Sequence, residues 1–472
     1  AGRAMLGLAR DESEEPRLRS LLTALATSAA PAAPILRHLR MRDTGSLLAA
    51  SRALRAYCVA PTGRMVVPTF NYRQHRVEKV DLTSIEVMYA DDAGIINIEN
   101  NTAFASCLAE CNSLQCLYCS HNSKLIVAIC ASGLGKLGEL SVLDLSHNRL
   151  AVDDHRNFER EQPVGPLIAA LPPRLRFLDL SYNLLHDEHV FLLVDGLEAS
   201  CSSGTPPVLE QLLLRSNYLG NGAGFALASF MKSASGACLS RLDLRTNRIE
   251  ADGACQMLSA LQSHPNMREM RVGYNRQNKQ QDLQTAGLAS VLLRKALAAN
   301  AKTKLEFLDL NNVRIGDSGI RQLSHSLALN NVLRRLDIAF NSIGPEGAEA
   351  LGHALEANDH LREVDLRDND IGDDGAVSLA RGLGSNNSLR KIQVARNGIS
   401  SRGVLALLGA VKARDQLNID FGASGAGSLN HLQVRSMMGR TQSMANLTLI
   451  REVERGSMAG SGDGQMSMMF AC

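Results

Sequence analysis

The chain has 472 residues, and its 50 Lys and Arg nearly balance its 48 Asp and Glu, for a formal net charge of +2. This balance argues against a nucleic-acid partner, because proteins that neutralise phosphates usually carry a basic excess. The sequence holds no run of about 18 apolar residues, so we expect no membrane span.

Residues 1–60 are rich in Ala and Arg and are predicted to form a helical N-terminal cap. Acidic residues occur from Asp11 onward, which argues against a targeting peptide. Ten cysteines are scattered along the chain, a usage that favours a reducing compartment. We therefore expect a cytoplasmic location.

Within this cap, residues 34–57 read PILRHLRMRDTGSLLAASRALRAY. They resemble an F-box in their hydrophobic helix, their Arg-Asp turn and their closing LLAASRALRAY. The resemblance implies a substrate receptor of a ubiquitin ligase, although the opening Leu-Pro of the F-box motif is absent. A plain helical cap that shields the apolar edge of a repeat array is the alternative for the same residues.

After a connector at 61–75, one template recurs between residues 76 and 420. It has apolar residues at positions 1, 4 and 6, Asn at position 9 and an apolar residue at position 11. Clear copies begin at Leu140, Leu175, Leu209, Leu239, Leu333, Leu361 and Leu389, and weaker copies at Val77, Leu114, Met267, Leu305 and Leu417. The starts from Leu305 onward lie 28 residues apart, and a fixed period of this size is typical of a solenoid.

Each copy divides into a strand half and a helix half. Positions 4 and 6 enter the core, while positions 3, 5 and 7 face outward. The Asn at position 9 is predicted to bond backbone groups and to form a buried ladder along the stack. The stretch GPEGAEALGHALEAN then places Ala348, Leu351 and Leu355 on one face at helical spacing. We therefore predict an α/β solenoid with a curved parallel sheet on the concave side and helices on the convex side.

The consensus LxxLDLxxNxIGxxGAxxLAxxLxxN resembles the leucine-rich repeat of the ribonuclease-inhibitor type. That resemblance implies a non-catalytic scaffold whose partners are other proteins, gathered in a multi-protein complex. The chain is similar to the leucine-rich subunit of the nexin–dynein regulatory complex, which implies a place in the axoneme of a cilium or flagellum. The Ran GTPase activator uses similar repeats, so GTPase activation is a further alternative.

Charged residues at the outward positions are the candidate partner-binding residues. Position 5 is Asp in seven copies, from Asp81 to Asp365, and alignment of adjacent strands would place these carboxylates in columns beside cations. The predicted concave-face residues are Asp243, Arg245, Asp309, Arg335, Asp337, Asp365, Arg367 and Lys391. A polar insertion at 275–284 adds Arg276 and Lys279 on a rim loop. The alternative is a solvated ladder of charges that compensate one another.

We predict no catalytic residue, cofactor or metal. The pair Cys116 and Cys119 would lie on opposite faces of one strand, whereas a tetrahedral metal site needs ligands that converge. The phosphate-binding pattern GxxxxGK[ST] does not occur. Residues 421–472 are rich in Met, Ser and Gly and are predicted to form a tail that becomes structured on a surface.

Overall fold

A computed structural model of the chain describes residues 108, 111–121, 134–151, 164–202, 208–275, 304–413 and 417–422, together with short strands at 57–59, 65–66, 69–71, 76–78, 87–89 and 428–430. These residues belong to two compact units. The first unit runs to Leu219 and includes Ser233–Asp243. The second unit takes Gly220–Lys232 and continues from Leu244.

The first unit contains ten short strands in its described residues. They are Tyr57–Val59 (β1), Met65–Val66 (β2), Thr69–Asn71 (β3), Arg76–Glu78 (β4), Val87–Tyr89 (β5), Cys116–Tyr118 (β6), Val142–Asp144 (β7), Phe177–Asp179 (β8), Gln211–Leu213 (β9) and Arg241–Asp243 (β10). Strands β5 to β10 pair in parallel and in chain order. The connections include a 3₁₀ helix at Leu134–Lys136 and the α-helices Val164–Ala169 (α1) and Asp187–Ser202 (α2).

The repeat predicted to start at Val77 is wrong. Strand β4 pairs antiparallel with β3 and does not join the parallel ladder, whereas β5 pairs in parallel with β6. The register of β5 assigns the start of that repeat to Ile85, and Asp81 therefore does not occupy position 5. A copy that begins at Ile85 has Ala90 at position 6 and Ala93 at position 9, so it lacks the residues by which the template is recognised.

The second unit repeats the same plan more regularly. Its strands are Glu269–Arg271 (β11), Phe307–Asp309 (β12), Arg335–Asp337 (β13), Glu363–Asp365 (β14), Lys391–Gln393 (β15), Asn418–Asp420 (β16) and Ser428–Asn430 (β17). Its helices are Asn221–Lys232 (α3), Ala251–Leu261 (α4), Gly316–Leu327 (α5), Pro345–Ala357 (α6), Gly372–Ser385 (α7) and Ser401–Ala413 (α8). Strands β11 to β16 pair in parallel and in order, and β17 closes the ladder antiparallel to β16.

The predicted start at Leu417 is wrong by one residue. Asn418 pairs with Lys391, which places this strand one residue earlier than a 28-residue spacing would. Ile419 and Phe421 are consequently buried, with exposed fractions of 0% and 7%. Because side chains alternate along a strand, a shift of one residue exchanges the two faces of the sheet, and burial of two apolar side chains decides the register.

The core of each repeat consists of the apolar template positions. In the repeat that begins at Leu361, the side chains of Leu361, Val364, Leu366 and Ile371 are at most 1% exposed. The helix that follows contributes Leu379, which is also fully buried. Burial of one such side chain stabilises a fold by about 1.5–3 kcal/mol, so the repeated leucines are the main favourable contribution to the stack.

The position 9 asparagines form the predicted buried ladder. Asn341 is completely buried, and its Oδ1 accepts hydrogen bonds from the backbone N–H groups of Val313 and Ile315 at 3.1 Å each. Its Nδ2 donates to the carbonyl of Leu310 at 2.8 Å. The backbone N–H of Asn341 donates in turn to Asn369 Oδ1 at 2.8 Å. Each asparagine therefore ties its own repeat to its neighbours.

A second ladder of polar side chains runs where the helices end. Asn358 Nδ2 donates to the carbonyls of Leu327 at 2.6 Å and Asn330 at 2.8 Å, and its Oδ1 accepts from the N–H of Leu361 at 2.8 Å. His264 takes the same place in an earlier repeat, where its Nδ1 accepts from the N–H three residues on at 3.0 Å. The residues of this ladder correspond to the final Asn of the consensus. From the sequence alone, that Asn predicts the end of a helix but not the ladder.

Candidate interaction face

The outward side chains of the second unit form one surface, which we call the strand face. It consists of positions 3, 5, 7 and 8 in the repeats that begin at Met267, Leu305, Leu333, Leu361 and Leu389. Strand pairing aligns Phe307, Arg335, Glu363 and Lys391 in one row at position 3. Adjacent strands lie about 4.8 Å apart, so equivalent side chains are neighbours, and the predicted columns are confirmed.

The position 5 aspartates lie in these columns but are buried. Asp309, Asp337 and Asp365 have exposed fractions of 2%, 6% and 4%, and Asp243 in the first unit has 3%. In the second unit each carboxylate accepts a hydrogen bond from the backbone N–H two residues on, at 3.0, 3.4 and 3.0 Å. The sequence predicted acids open to a partner. The structure instead shows short, buried side chains that hold the turn after each strand. Partner binding by these four aspartates remains a prediction.

Burial also changes the titration of this row. Burial and the carboxylates of Asp365 and Asp309 together raise the pKa of Asp337 to about 6, against hydrogen bonds from Ala339 and Asn311 that lower it. Burial likewise raises the pKa of the Tyr274 hydroxyl, with Asp337 and Asp309 adding to the effect. Burial therefore favours the neutral forms of Asp337 and Tyr274.

The predicted cations at position 7 are engaged with these acids. The guanidinium of Arg367 binds Asp365, with Nε 2.9 Å from Oδ1 and Nη2 2.6 Å from Oδ2, and 41% of its side chain is exposed. Arg245 Nε lies 3.9 Å from Asp309 Oδ2, with 22% of its side chain exposed. Both arginines compensate carboxylates of their own chain, which favours the self-compensating alternative at this row.

Position 3 reaches solvent more openly. The side chain of Arg335 is 48% exposed, and Lys391 is half-buried. The guanidinium carbon of Arg335 lies 4.6 Å from the ring centroid of Phe307, and that of Arg271 lies 4.9 Å from the same ring. An aromatic ring between two guanidinium groups holds both cations in place by cation–π attraction. An aromatic residue at position 3 flanked by arginines in neighbouring copies is the sequence signal for this arrangement.

Position 8 was missed by the sequence reasoning. Its residues in the second unit have a left-handed backbone with φ between 52° and 57°, although none is glycine: Tyr274, Asn312, Phe340, Asp368 and Arg396. Such a conformation costs an L-residue roughly 1–2 kcal/mol. Tyr274, Asn312 and Arg396 are exposed, whereas Phe340 and Asp368 are half-buried. The rings of Tyr274 and Phe340 meet with centroids 5.8 Å apart.

The same turn position in the first unit carries a column of rings. His121, His147 and Tyr182 have φ of 58°, 59° and 59°, and their rings stack with centroid distances of 4.4 Å and 4.0 Å. In the same unit, burial and, to a smaller extent, Asp144 raise the pKa of Asp179 to about 6, against a hydrogen bond from Ser181 that lowers it. Both units therefore carry aromatic side chains at the turn that follows some of their strands.

A cavity of about 650 Å³ in the first unit gives no catalytic arrangement. Its lining includes Glu139, whose carboxylate is held by Arg174 at 2.7 Å and 2.8 Å. Ser141, also in the lining, donates its hydroxyl to the backbone carbonyl of Gln115 at 3.2 Å. A hydrolytic site would need a nucleophile bound to a base, whereas the Ser141 hydroxyl is bound to a backbone carbonyl and the Glu139 carboxylate to an arginine.

The cysteine pair lies as predicted, with Cys119 buried and Cys116 half-buried on the other face of the strand. In the part of the chain that the structure describes, no group of three His, Cys, Asp or Glu could hold a metal ion. No helix of those same segments is long and apolar enough to cross a lipid bilayer.

Several predictions fall on residues outside the described ranges. They are residues 1–56 of the predicted helical cap, with its F-box-like segment up to residue 56, the rim-loop residues Arg276 and Lys279, and the part of the tail beyond residue 430. The predicted cap is wrong at its described end, because Tyr57–Val59 forms strand β1.

Comparison with known proteins supports the repeat assignment. The Leucine Rich repeat family model matches residues 329–352, 357–380 and 385–408. A Tonsoku-like protein of Danio rerio is 28% identical over 199 residues, which amount to 41% of this chain and 13% of that protein. The chain thus spans only a small part of the length of this relative.

Three solved structures are also similar. The actin-binding site 2 of leiomodin-1 shares 15% identity with a TM-score of 0.25, covering 44% of this chain and 92% of that one. An internalin from Listeria monocytogenes shares 18% with a TM-score of 0.33, covering 60% and 69%. A chain of the Rad7 and Elc1 complex in yeast shares 15% with a TM-score of 0.37, covering 73% and 81%.

The strand–turn–helix units, their parallel register and their asparagine ladders define an α/β solenoid. Repeat geometry and the family match, rather than the weak structural likenesses, establish this class. The described repeats have the fold of a leucine-rich repeat solenoid, and the family model matches three of them.

Proposed function

We propose that this chain is a non-catalytic scaffold that binds other proteins through the strand face of its second unit. The register of that unit carries the proposal, because it gathers Phe307, Arg335, Tyr274 and Phe340 on adjacent or near-adjacent strands. Aromatic residues and arginine are enriched at protein interfaces and dominate their energetics. An interface of standard size buries about 800 Å² on each partner, an area that several neighbouring repeats can supply.

Rigidity supports the same function. The two ladders and the buried aspartates fix the backbone beneath the strand face, so few of its groups lose conformational freedom when a partner binds. Such pre-organisation lowers the entropic cost of association. The left-handed turns at position 8 add to this, since a strained backbone persists only where surrounding contacts hold it.

Within this proposal the partners are subunits of a larger assembly, and the ciliary axoneme is the assembly that we favour. Its support is the resemblance of the repeat consensus to the leucine-rich subunit of the nexin–dynein regulatory complex. Purification of the tagged full-length chain from its own cells identifies the partners. Axonemal proteins are the expected companions. Co-purification of a ubiquitin-ligase adaptor instead would favour a substrate receptor of a ubiquitin ligase. Co-purification of the Ran GTPase would favour GTPase activation.

The use of the strand face is tested with the same purification. Combined Tyr274→Ser and Phe340→Ser substitutions should remove partners, because both rings stand on that face. Phe225→Ser is the matched control, since Phe225 is 46% exposed and lies on helix α3 of the same unit. Loss of partners with the control alone would reject the strand face as the binding surface.

A further inference from the structure

Three arginines stand side by side at the entrance to consecutive strands of the second unit. Arg334, Arg362 and Arg390 each occupy position 2, directly before β13, β14 and β15. The backbone N–H of Arg362 donates to the carbonyl of Arg334, and that of Arg390 to the carbonyl of Arg362, both at 2.8 Å. All three side chains are exposed. We call them the arginine row.

Nearby groups make this row more basic. Arg335 and Lys391 stand next to it at position 3 and are the residues that the sequence predicted to bind a partner. In the described ranges, two carboxylates lie within ion-pair distance of these five cations: Glu306 is 3.8 Å from Arg334, and Glu363 is 3.7 Å from Arg335. Glu306 is also held by Arg268 at the shorter distance of 2.6 Å. Five positive charges against two negative ones leave a local excess of +3.

This excess is costly for the isolated chain. Like charges directly opposite on neighbouring strands destabilise a sheet. Arg362 uses one guanidinium N–H on the carbonyl of Ser388 at 3.2 Å, and the rest of the row faces solvent. An anionic ligand would relieve the repulsion, and the planar guanidinium group is suited to carboxylates because it can bind both oxygens.

The shape of the charged region selects between anionic ligands. The other end of strand β14 carries Asp368 and Asp370: Asp368 is bound to Arg396 at 2.8 Å, and Asp370 is exposed. The two ends are separated by about six residues of extended chain, or roughly 20 Å. A nucleic-acid duplex is about as wide as that distance and would place phosphates near the exposed carboxylate of Asp370, whereas a single extended peptide fits the row alone.

We propose that the arginine row binds an acidic segment of a partner protein, which crosses the strands at their N-terminal ends. This inference rests on the proposed scaffold function and adds the chemistry of the partner. The carboxylates of the segment would pair with the guanidinium groups of the row.

Fluorescence anisotropy of a labelled peptide of alternating Glu and Gly, titrated with the full-length chain, tests the inference. Binding should weaken by about ten-fold or more when Arg334, Arg362 and Arg390 are all changed to Gln, and it should fall as salt rises. The matched control changes Arg321, Arg381 and Arg402 to Gln, which are exposed arginines on helices of the same unit. The control should bind as the wild type does, and circular dichroism should show that both variants are folded.

Three results would overturn the inference. They are equal binding by the arginine-row variant, equal binding of an uncharged Gln-Gly peptide, and tighter binding of a single-stranded oligonucleotide of the same charge. Failure here is distinguishable from failure of the scaffold function. If the Tyr274 and Phe340 substitutions still remove native partners while the acidic peptide does not bind, only the acidic-segment inference is wrong.

Discussion

Asp317 accepts two hydrogen bonds from the first turn of a helix in the next repeat. Its Oδ1 lies 2.6 Å from the backbone nitrogen of Gly344 and 2.9 Å from that of Gly347, where helix α6 begins. A carboxylate at a helix N-terminus satisfies N–H groups that lack intrahelical partners and is favoured by the helix dipole. Asp373 bonds the start of helix α8 in the same way. In both cases a side chain of one repeat therefore caps the helix of the next repeat.

Removal of this cap should cost measurable stability. Asp317→Ala is expected to lower the free energy of unfolding by about 1 kcal/mol, because two backbone N–H groups lose their acceptor. Asp317→Asn keeps an oxygen at the same place and should cost less. Urea denaturation followed by circular dichroism compares the two variants, and equal losses would show that the cap contributes nothing specific.

The buried Asp337 predicts a pH dependence of stability. Its pKa is raised from 3.8 to about 6, so the folded state binds the proton more tightly than the unfolded state does. The stabilisation of the folded state by this tighter proton binding is fully present below pH 3.8 and is lost as the pH rises through 6. Asp337→Asn cannot ionise, so its stability relative to the wild type should improve by about 1–3 kcal/mol between pH 4 and pH 7.

Denaturant midpoints measured across this pH range check the prediction. Leu336→Ala is the control, since this side chain is fully buried and uncharged and its truncation should cost a similar amount at every pH. Parallel stability curves for the wild type and Asp337→Asn would contradict the assigned role of burial.

The asparagine ladder predicts a larger effect. Asn341→Ala leaves the N–H groups of Val313 and Ile315 and the carbonyl of Leu310 without their partner in a buried site. A buried polar group left unsatisfied costs about 1–3 kcal/mol, so a loss of about 3 kcal/mol or more is expected. Asn341→Asp keeps the acceptor and should lose less. Equilibrium unfolding measures both variants, and a loss below 1 kcal/mol for Asn341→Ala would mean that water replaces the ladder.

Two glycines of helix α7 should respond in opposite directions to the same substitution. A methyl group on Gly382 would meet the carbonyl oxygen of Gly352 on helix α6, whereas one on Gly384 would meet nothing within 4 Å. Gly382→Ala should therefore destabilise the chain by ~1–3 kcal/mol through overpacking. Gly384→Ala should stabilise it by ~0.5–1 kcal/mol through helix propensity. Thermal denaturation separates them, and shifts of the same sign would reject this helix contact.

Much of the fold was predictable because the same template recurs in many copies along the chain. The apolar positions, the position 9 asparagines and the helix face of Ala348 and Leu351 each follow from spacing alone. The errors came where the template weakens. The repeat with strand β5 lacks both Asn and Leu at the expected places, and the strand at Asn418 is displaced by one residue because Ile419 and Phe421 decide which face is inside.

The candidate site was less predictable. Alternation correctly placed Asp309 and Asp337 on the outward side, but it cannot report that longer neighbours cover a short side chain there. The left-handed turn at Tyr274 and at Phe340 contains no glycine at that position, so the usual sequence signal for such a turn is absent. The arginine row was visible as an Arg at position 2 of three successive copies, and its meaning depended on the exposure and pairing that only coordinates give.

Hydroxyl-radical footprinting of the native complex tests the central claim most directly, because it reports which side chains a partner covers. Compared with the isolated chain, the complex should protect Tyr274 and Phe340 on the strand face and leave Phe225 on helix α3 as reactive as before. Protection of Phe225 with Tyr274 and Phe340 unchanged would contradict the claim that this protein binds its partners through its strands.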